Sequence, residues 1–354
     1  MSAHLTSADK TSAKTAGTGN AGTNDASLAP WLQTQLSALL QRRGHAWLLQ
    51  GPSGLGQYTL GLALAQAWLC DQPTEHGACG VCKSCHSVQV RTHPDLCTLM
   101  PETLALELNW PLDEKTQKDL DDKKRKPSKE IRVEAAREMV SFTQHTRSGG
   151  ATKVVLVYPA ERMNHVTANT ILKTLEEPPG ETRFVLASEA AHQLLPTVRS
   201  RCQTHTLTWP NTEESLAWLQ ANDVPAADAT TLLKAAGGRP EDALALAVQG
   251  MQAKHWSALP KAVVKGDVSA LSEGTPAQAI AILQKLCHDL LATRAGANAR
   301  FFAEQDLPSG GTVQSLTQWS KDLMQSARTA EHPFNAGLML EALVARAQTA
   351  LRAK

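Results

Sequence analysis

The stretch "LLQGPSGLGQYTLGLALAQAW", Leu48 to Trp68, decides how this chain is read. A short apolar run leads into a glycine-rich turn, Gly51 to Gly56, and then into an apolar helical pattern. That is the strand, loop and helix order of a phosphate-binding loop. In such a loop glycines let backbone N–H groups point at phosphate oxygens, and the N-terminus of the following helix adds partial positive charge. Gly51, Gly54 and Gly56 keep that backbone shape. A working loop continues with a lysine that neutralises the β and γ phosphates and a Ser or Thr that holds Mg²⁺. Here Gln57 offers a neutral amide, and Tyr58 carries its hydroxyl on a rigid ring about one phenyl too far out. The loop alone leaves three readings open: hydrolysis, weak or structural nucleotide binding, or a fold element retained without chemistry.

Outward from the loop, the pattern alternates. Strands are expected at 46–50, 153–158 and 183–188, with helices at 58–69, near 131–144 and at 165–176, the signature of parallel β-α units. Upstream, "PWLQTQLSALLQRRG" places Trp31, Leu32, Leu36, Leu39 and Leu40 on one helical stripe that Gly44 ends. Residues 1–27 are rich in Ser, Thr, Ala and Gly and nearly free of large apolar side chains, so a disordered tail is expected there. Between Leu99 and Ile131 periodicity is lost and both signs of charge mix in "DEKTQKDLDDKKRKPSKE" (113–130). This 103–130 insertion reads as a solvated segment or, alternatively, as a phosphate-contacting patch at Lys123 to Lys126 that Asp121 and Asp122 oppose. Beyond Trp209 and Pro210 no further strand is expected. Residues 209–250 read as a small helical unit and 251–354 as helix after helix. Thr275, Pro276 and Gln278 form an N-cap, first-turn proline and capping box. Leu283, Leu286 and Leu290 mark the buried face of that helix; Leu340, Val344, Ala347 and Leu351 mark that of the last one.

A chain of 354 residues holds two or three domains with real cores. Its 35 basic and 34 acidic residues give a net charge of +1, so any nucleic-acid surface must be local. No run approaches the ~18 apolar residues of a membrane span, and no apolar signal core opens the chain, so a soluble cytoplasmic protein is expected. Of seven cysteines, Cys70, Cys79, Cys82 and Cys85 fall within "CDQPTEHGACGVCKSC". The x2 spacings let backbone turns converge on one ion, and four thiolates suit tetrahedral Zn²⁺ in a structural site with no open position. Unmetallated thiols or redox chemistry are the alternatives. His76 and His86 read as bystanders, and Cys97, Cys202 and Cys287 as ordinary core thiols.

"KVVLVYPAERMNHVTANTILKTLEEPPGETRFVLAS" and "LLPTVRSRCQTHTL" carry a family resemblance. "LKTLEEPP" (172–179), a following strand that ends in Ala-Ser, and "RSRC" (199–202) resemble the AAA+ clamp-loader subunits of bacterial DNA polymerase III, as does a cysteine insertion directly after the first loop helix. "THPD" (92–95), "IRVEAAREM" (131–139) and "NAGLMLEALVAR" are similar too. The resemblance covers about 28–210 closely and the rest loosely. It implies an α/β fold: an AAA+ RecA-like parallel-sheet domain at 28–208 with an embedded zinc module at 70–85, a helical lid at 209–250, and an all-helical collar domain at 251–354.

In the ATP-hydrolysing members, the strand aligned with "KVVLV" ends in Asp-Glu, which hold Mg²⁺ and orient water. Tyr158 and Pro159 stand there, with Glu161 past the strand end. A phosphate-contacting arginine of the next domain aligns with Glu241. Lysine, hydroxyl and both carboxylates are missing together, so the chain resembles the non-hydrolysing member, with no intrinsic ATPase and no ATP bound. Ser188 matches a phosphate-sensing position and is expected to be structural. The family's Ser-Arg-Cys motif maps to Ser200, Arg201 and Cys202, which implies that Arg201 is a trans arginine finger for a neighbouring subunit; pairing with a surface carboxylate is the plainer alternative. Implied partners are the delta and gamma/tau subunits and, through the assembly, the sliding clamp and primed DNA, with no membrane. An active gamma/tau-type ATPase and a zinc-dependent DNA-binding module remain the rival readings.

Overall fold

The computed structural model describes residues 28–148, 152–272, 274–330, 332 and 335–353; the expected tail at 1–27 lies outside them. The chain enters on helix α1 (Pro30–Leu40), where Pro30 occupies the first turn and Trp31, Leu32, Leu36 and Leu39 are buried. Strand β1 (Ala46–Gln50) and helix α2 (Gln57–Leu69) flank the glycine loop. Next come α3 (Lys83–Gln89), β2 (Leu96–Leu99), α4 (Glu102–Glu107), α5 (Glu114–Asp121), α6 (Val133–Gln144), β3 (Lys153–Val157), α7 (His165–Glu176), β4 (Thr182–Ser188), α8 (Pro196–Arg199) and β5 (Gln203–Thr206). The five strands form one parallel sheet in the order β2-β3-β4-β1-β5.

The three central strands read as continuous apolar runs because helices cover both faces. Alternation along the pleat divides their side chains. Leu49, Leu156 and Val185 pack with α1 and α2 on one face, while Leu48, Val155, Phe184 and Leu186 pack with α6 and α7 on the other.

Two strands escape the sequence reading, and both lie at sheet edges. In β5, "QTHT" offers no large apolar side chain. It is fixed by backbone pairing to β1, by a hydrogen bond between Gln50 Nε2 and Thr206 Oγ1 (3.0 Å), and by one between His205 and Gln35 (3.0 Å).

The charged insertion also departs from expectation, since it contains α4 and α5 rather than aperiodic chain. Buried Glu102 organises it by accepting from Arg125, Arg132 (3.1 Å) and the Ser128 amide (2.8 Å). Lys124 pairs with Asp122 at 2.9 Å. Buried Trp110 turns the insertion back onto the start of α2, against Tyr58 and Leu62.

Helices α9 (Thr212–Ala221), α10 (Ala226–Ala235) and α11 (Pro240–Val248) share a core of Leu219, Val224, Leu232 and Leu233. Helices α12 (Ala253–Lys265), α13 (Pro276–Arg294), α14 (Val313–Arg328) and α15 (Ala336–Arg352) surround a larger one, with Trp256 stacked on Phe302 at 4.7 Å. The capping box at Thr275 and the buried stripe of α15 are as expected. Lys285 Nζ donates to the Ala235 carbonyl (2.8 Å) and Arg300 Nη2 to that of Gly237 (3.3 Å), so cations of the last unit hold the end of α10. No helix among the described residues is long and apolar enough to cross a membrane.

Candidate functional site

Two clusters stand out: four cysteines beside α3, and the glycine loop with the side chains that close over it. The sulfurs of Cys70, Cys79, Cys82 and Cys85 lie within 4.8 Å of one another. Two contacts are shorter, Cys70 to Cys82 at 3.9 Å and Cys79 to Cys85 at 4.0 Å. A tetrahedral zinc with Zn–S bonds of about 2.3 Å has sulfur edges of about 3.8 Å, so the donor set fits that ion in type, number and spacing. Backbone amides of Gln72 and Cys79 point at Cys70 Sγ (3.4 and 3.3 Å), and that of Cys85 at Cys82 Sγ (3.4 Å), which favours thiolate charge. Neither His76 nor His86 joins the cluster. Burial pushes the thiols of Cys97, Cys202 and Cys287 up to about 12, as befits inert core cysteines.

The cluster is tied to the sheet by a relay that sequence reasoning did not resolve. His93 Nδ1 accepts from the Asp95 amide (3.1 Å), so Nε2 carries the proton and donates to Ser84 Oγ (2.8 Å). Ser84 in turn donates to the Leu69 carbonyl (2.5 Å). Asp95, only 1% exposed, accepts from the Ser148 amide at 3.0 Å. The "THPD" segment thereby fixes α3 between the end of α2 and the start of β2. Its signal was present as a motif, but its partners are distant in sequence.

At the glycine loop, Gln57 is 2% exposed and its amide donates to the carbonyls of Gly51 (2.7 Å) and Pro52 (2.6 Å). The side chain at the lysine position is thus engaged within the loop itself. Tyr58 and Tyr158 pack against each other with ring centroids 5.2 Å apart. Trp110 Nε1 donates to the Tyr58 hydroxyl (2.7 Å), and the Tyr158 hydroxyl donates to Glu189 Oε1 (2.8 Å). Burial raises both phenols above their ordinary value. Ser188 Oγ donates to Glu161 Oε2 (2.7 Å), so Glu161, although beyond the strand end, faces this site.

The first turn of α11 closes over the loop. Thr59 Oγ1 donates to Glu241 Oε1 (3.1 Å), Ser53 Oγ to Asp242 Oδ2 (3.2 Å), and the Glu241 amide to the Gly54 carbonyl (3.3 Å). Arg239 bridges Ser53 Oγ (2.9 Å) and Asp242 (2.9 Å). The approach requires glycine. A Cβ on Gly54 would sit 2.5 Å from the Asp242 carboxyl group, one on Gly56 would sit 2.9 Å from Glu241 Oε1, and both residues have positive φ. Burial, with Asp242 and Glu189 adding like charge, pushes the Glu241 carboxyl up to about 7; burial likewise raises Glu189. Sequence reading singled out Glu241 but missed Asp242, Ser53, Thr59 and Arg239. An acidic pair behind a first-turn proline is ordinary helix-start composition and announces no distant partner.

Arg201 lies just past α8, away from this cluster in the chain. Its Nε and Nη2 donate to Glu176 Oε2 (3.1 and 3.0 Å), and Nη1 donates to the Thr197 carbonyl (2.9 Å).

A family model described as DNA polymerase III, delta subunit, matches residues 27–211. The chain is 38% identical to the delta-prime subunit of DNA polymerase III from Pseudomonas aeruginosa over 231 residues, 64% of this chain and 63% of that protein. It is 32% identical to the Yersinia pestis delta-prime subunit over 277 residues, 75% of this chain and 72% of that one. Among solved structures, a gamma subunit-related protein of DNA polymerase III from Thermotoga maritima matches with a TM-score of 0.48 and 16% identity, covering 91% of this chain and all of that one. The alignment to the Pseudomonas relative thus spans less than two thirds of its length, whereas that to the Yersinia relative exceeds it. With the family model across the sheet domain and a relative matched over most of its length, this chain belongs to the family of DNA polymerase III delta-prime subunits.

Proposed function

We propose that this chain serves as a non-hydrolysing subunit of the DNA polymerase III clamp loader, the assembly that places the sliding clamp on primed DNA. In this reading it sits beside the delta subunit on one side and a gamma/tau subunit on the other. The observation that carries the proposal is the state of the glycine loop. The lysine position holds a glutamine bonded to the loop's own carbonyls, and two acidic side chains of α11 press on the same loop. A triphosphate would meet carboxyl groups where it needs cations, without the lysine or the magnesium ligands that offset its charge. The chain therefore neither hydrolyses nor tightly binds ATP.

Its contribution to catalysis is Arg201, offered to the ATP site of the gamma/tau neighbour. Support comes from its setting: the partner Glu176 is exposed, and an exposed ion pair is worth about 0–1 kcal/mol, so a phosphate competes easily for the guanidinium. The four cysteines hold Zn²⁺, which supplies a structural cross-link and no open coordination position.

Two measurements test the proposal. Calorimetric titration of the isolated chain with MgATP is expected to give no heat of binding, and micromolar affinity would overturn the disabled-site reading. Mixing the chain with delta, gamma/tau, clamp and primed DNA is expected to assemble a loader whose DNA-stimulated ATPase requires it. Failure to co-purify with those subunits would overturn the assignment of partners.

A further inference from the structure

We propose that the glycine loop carries a permanent ligand from its own chain. The Glu241 and Asp242 carboxyl groups of α11 accept from the hydroxyls of Thr59 and Ser53 beside the loop, and they latch the α9–α11 unit onto the sheet without nucleotide. This deepens the proposed function and shares its observation of the α11 acids on the loop, while its test concerns only the isolated chain.

Glu241 accepts from Thr59 in the first turn of α2, Asp242 accepts from Ser53 inside the loop, and the Glu241 amide reaches the Gly54 carbonyl. Contact is close enough that a methyl group on Gly54 or Gly56 would collide with one carboxyl or the other. Here the acceptor is covalently part of the chain, so its effective concentration exceeds that of a free ligand. Arg239 completes the seat by bridging Ser53 and Asp242.

The latch joins a longer chain of contacts. Lys285 and Arg300 grip the carbonyl end of α10, which packs against α11, so one path of contacts links the C-terminal helices through α10 and α11 to the loop. In ATP-binding loops the ligand comes and goes, and the covering helices follow it. A tethered carboxyl group removes that exchange.

The latch is also sensitive to pH. Around Glu241 lie Asp242 from its own helix, Glu189 just past β4 and Tyr158 just past β3; Arg239 pairs with Asp242, and Lys285 of α13 lies near both. Carboxyl groups outnumber cations in that shell, so deprotonating Glu241 places like charges together and loosens the seat. Sign and window follow from the raised carboxyl of Glu241, which favours the closed form at low pH and loses that preference as pH rises through about 7.

Hydrogen–deuterium exchange on the full chain tests this. In the parent protein, amides at 51–60 and 240–248 are expected to be protected together and to ignore millimolar MgATP. In the Glu241→Ala/Asp242→Ala variant, both segments are expected to lose protection by about tenfold or more, while amides of β3 and α13 keep theirs. Should that variant not fold, Glu241→Gln serves instead. It retains an acceptor for Thr59, and protection in both segments is expected to become independent of pH between 5 and 8.5, whereas the parent loses protection over that range. Unchanged loop protection in the double variant, or equal pH dependence in Glu241→Gln and parent, overturns the latch.

Discussion

Replacing Glu241 by Gln converts the latch into a stability measurement with a calculable size. The carboxyl group is enclosed between α2 and α11, and its ordinary value of 4.5 is pushed up to about 7, chiefly by loss of water. The unfolded chain releases this proton near 4.5 while the folded chain holds it to about 7. Between those values the folded state binds more protons, so stability falls as pH rises; below 4.5 both states are protonated, and above 7 the penalty is complete. At about 1.4 kcal/mol per pH unit, the full span corresponds to about 3 kcal/mol. A glutamine keeps the size and the acceptor for Thr59 but has nothing to titrate. Urea unfolding of both proteins at pH 4.5, 6, 7 and 8, followed by tryptophan fluorescence, isolates the residue with its coupled neighbours Asp242 and Glu189, because titrating groups distant from Glu241 cancel in the difference. The expected result is a difference that grows by about 3 kcal/mol in favour of Glu241→Gln between pH 4.5 and 8, with most of the change between 5 and 7. A difference constant to within about 0.5 kcal/mol across that range would refute both the enclosed carboxyl group and the sign of its coupling.

Four other outcomes are expected. Restoring lysine and threonine at the loop with Gln57→Lys/Tyr58→Thr alone gives no calorimetric MgATP binding, because Glu241 and Asp242 remain seated; binding comparable to an active ATPase would show that the carboxyl groups are displaceable. Arg201→Ala leaves the reconstituted loader assembled but lowers its DNA-stimulated ATPase by about 10³-fold or more, and an unchanged rate removes the finger role. Chelation of metal, or Cys79→Ser, exposes the remaining cluster thiols to a colorimetric thiol reagent and lowers the melting temperature, while elemental analysis of the parent gives one zinc per chain. His93→Ala, which breaks the relay to Ser84, weakens zinc retention by about 10–100-fold in competition with a chromophoric chelator, and retention equal to the parent separates the relay from the metal site.

What the sequence disclosed follows the depth at which each segment is buried. The central strands at 46–50, 153–157 and 182–188 are apolar over almost their whole length because both faces are covered, and these were legible. The edge strands at 96–99 and 203–206 owe their state to pairing with a neighbour and carry no periodic signal of their own. The 103–130 insertion hid two helices because its organising residue, Glu102, is a buried anion, and composition gives no way to tell a buried glutamate from a solvated one. For the sites, spacing revealed the four cysteines, since ligands of one ion cluster in the chain. The closure of the loop was invisible for the opposite reason: Ser53 and Asp242 are 189 residues apart, and only the fold brings them together.

The substitutions around the loop form one physical set. In an active site the lysine, the magnesium ion and the adjoining arginine together offset the charge of a triphosphate. Removing one of these leaves the others unbalanced, and a buried cation without its anion is as costly as the reverse. In the proposed reading each position is balanced locally: the Gln57 amide bonds to loop carbonyls, and Tyr58 and Tyr158 pack against each other and direct their polar tips to Trp110 and Glu189. Glu241, which the family resemblance aligns with the arginine, accepts from the Thr59 hydroxyl. In the proposed function the remaining chemistry of the chain is that of Arg201, half-buried and bonded to the exposed Glu176 and the Thr197 carbonyl, partners that it exchanges for a neighbour's phosphate.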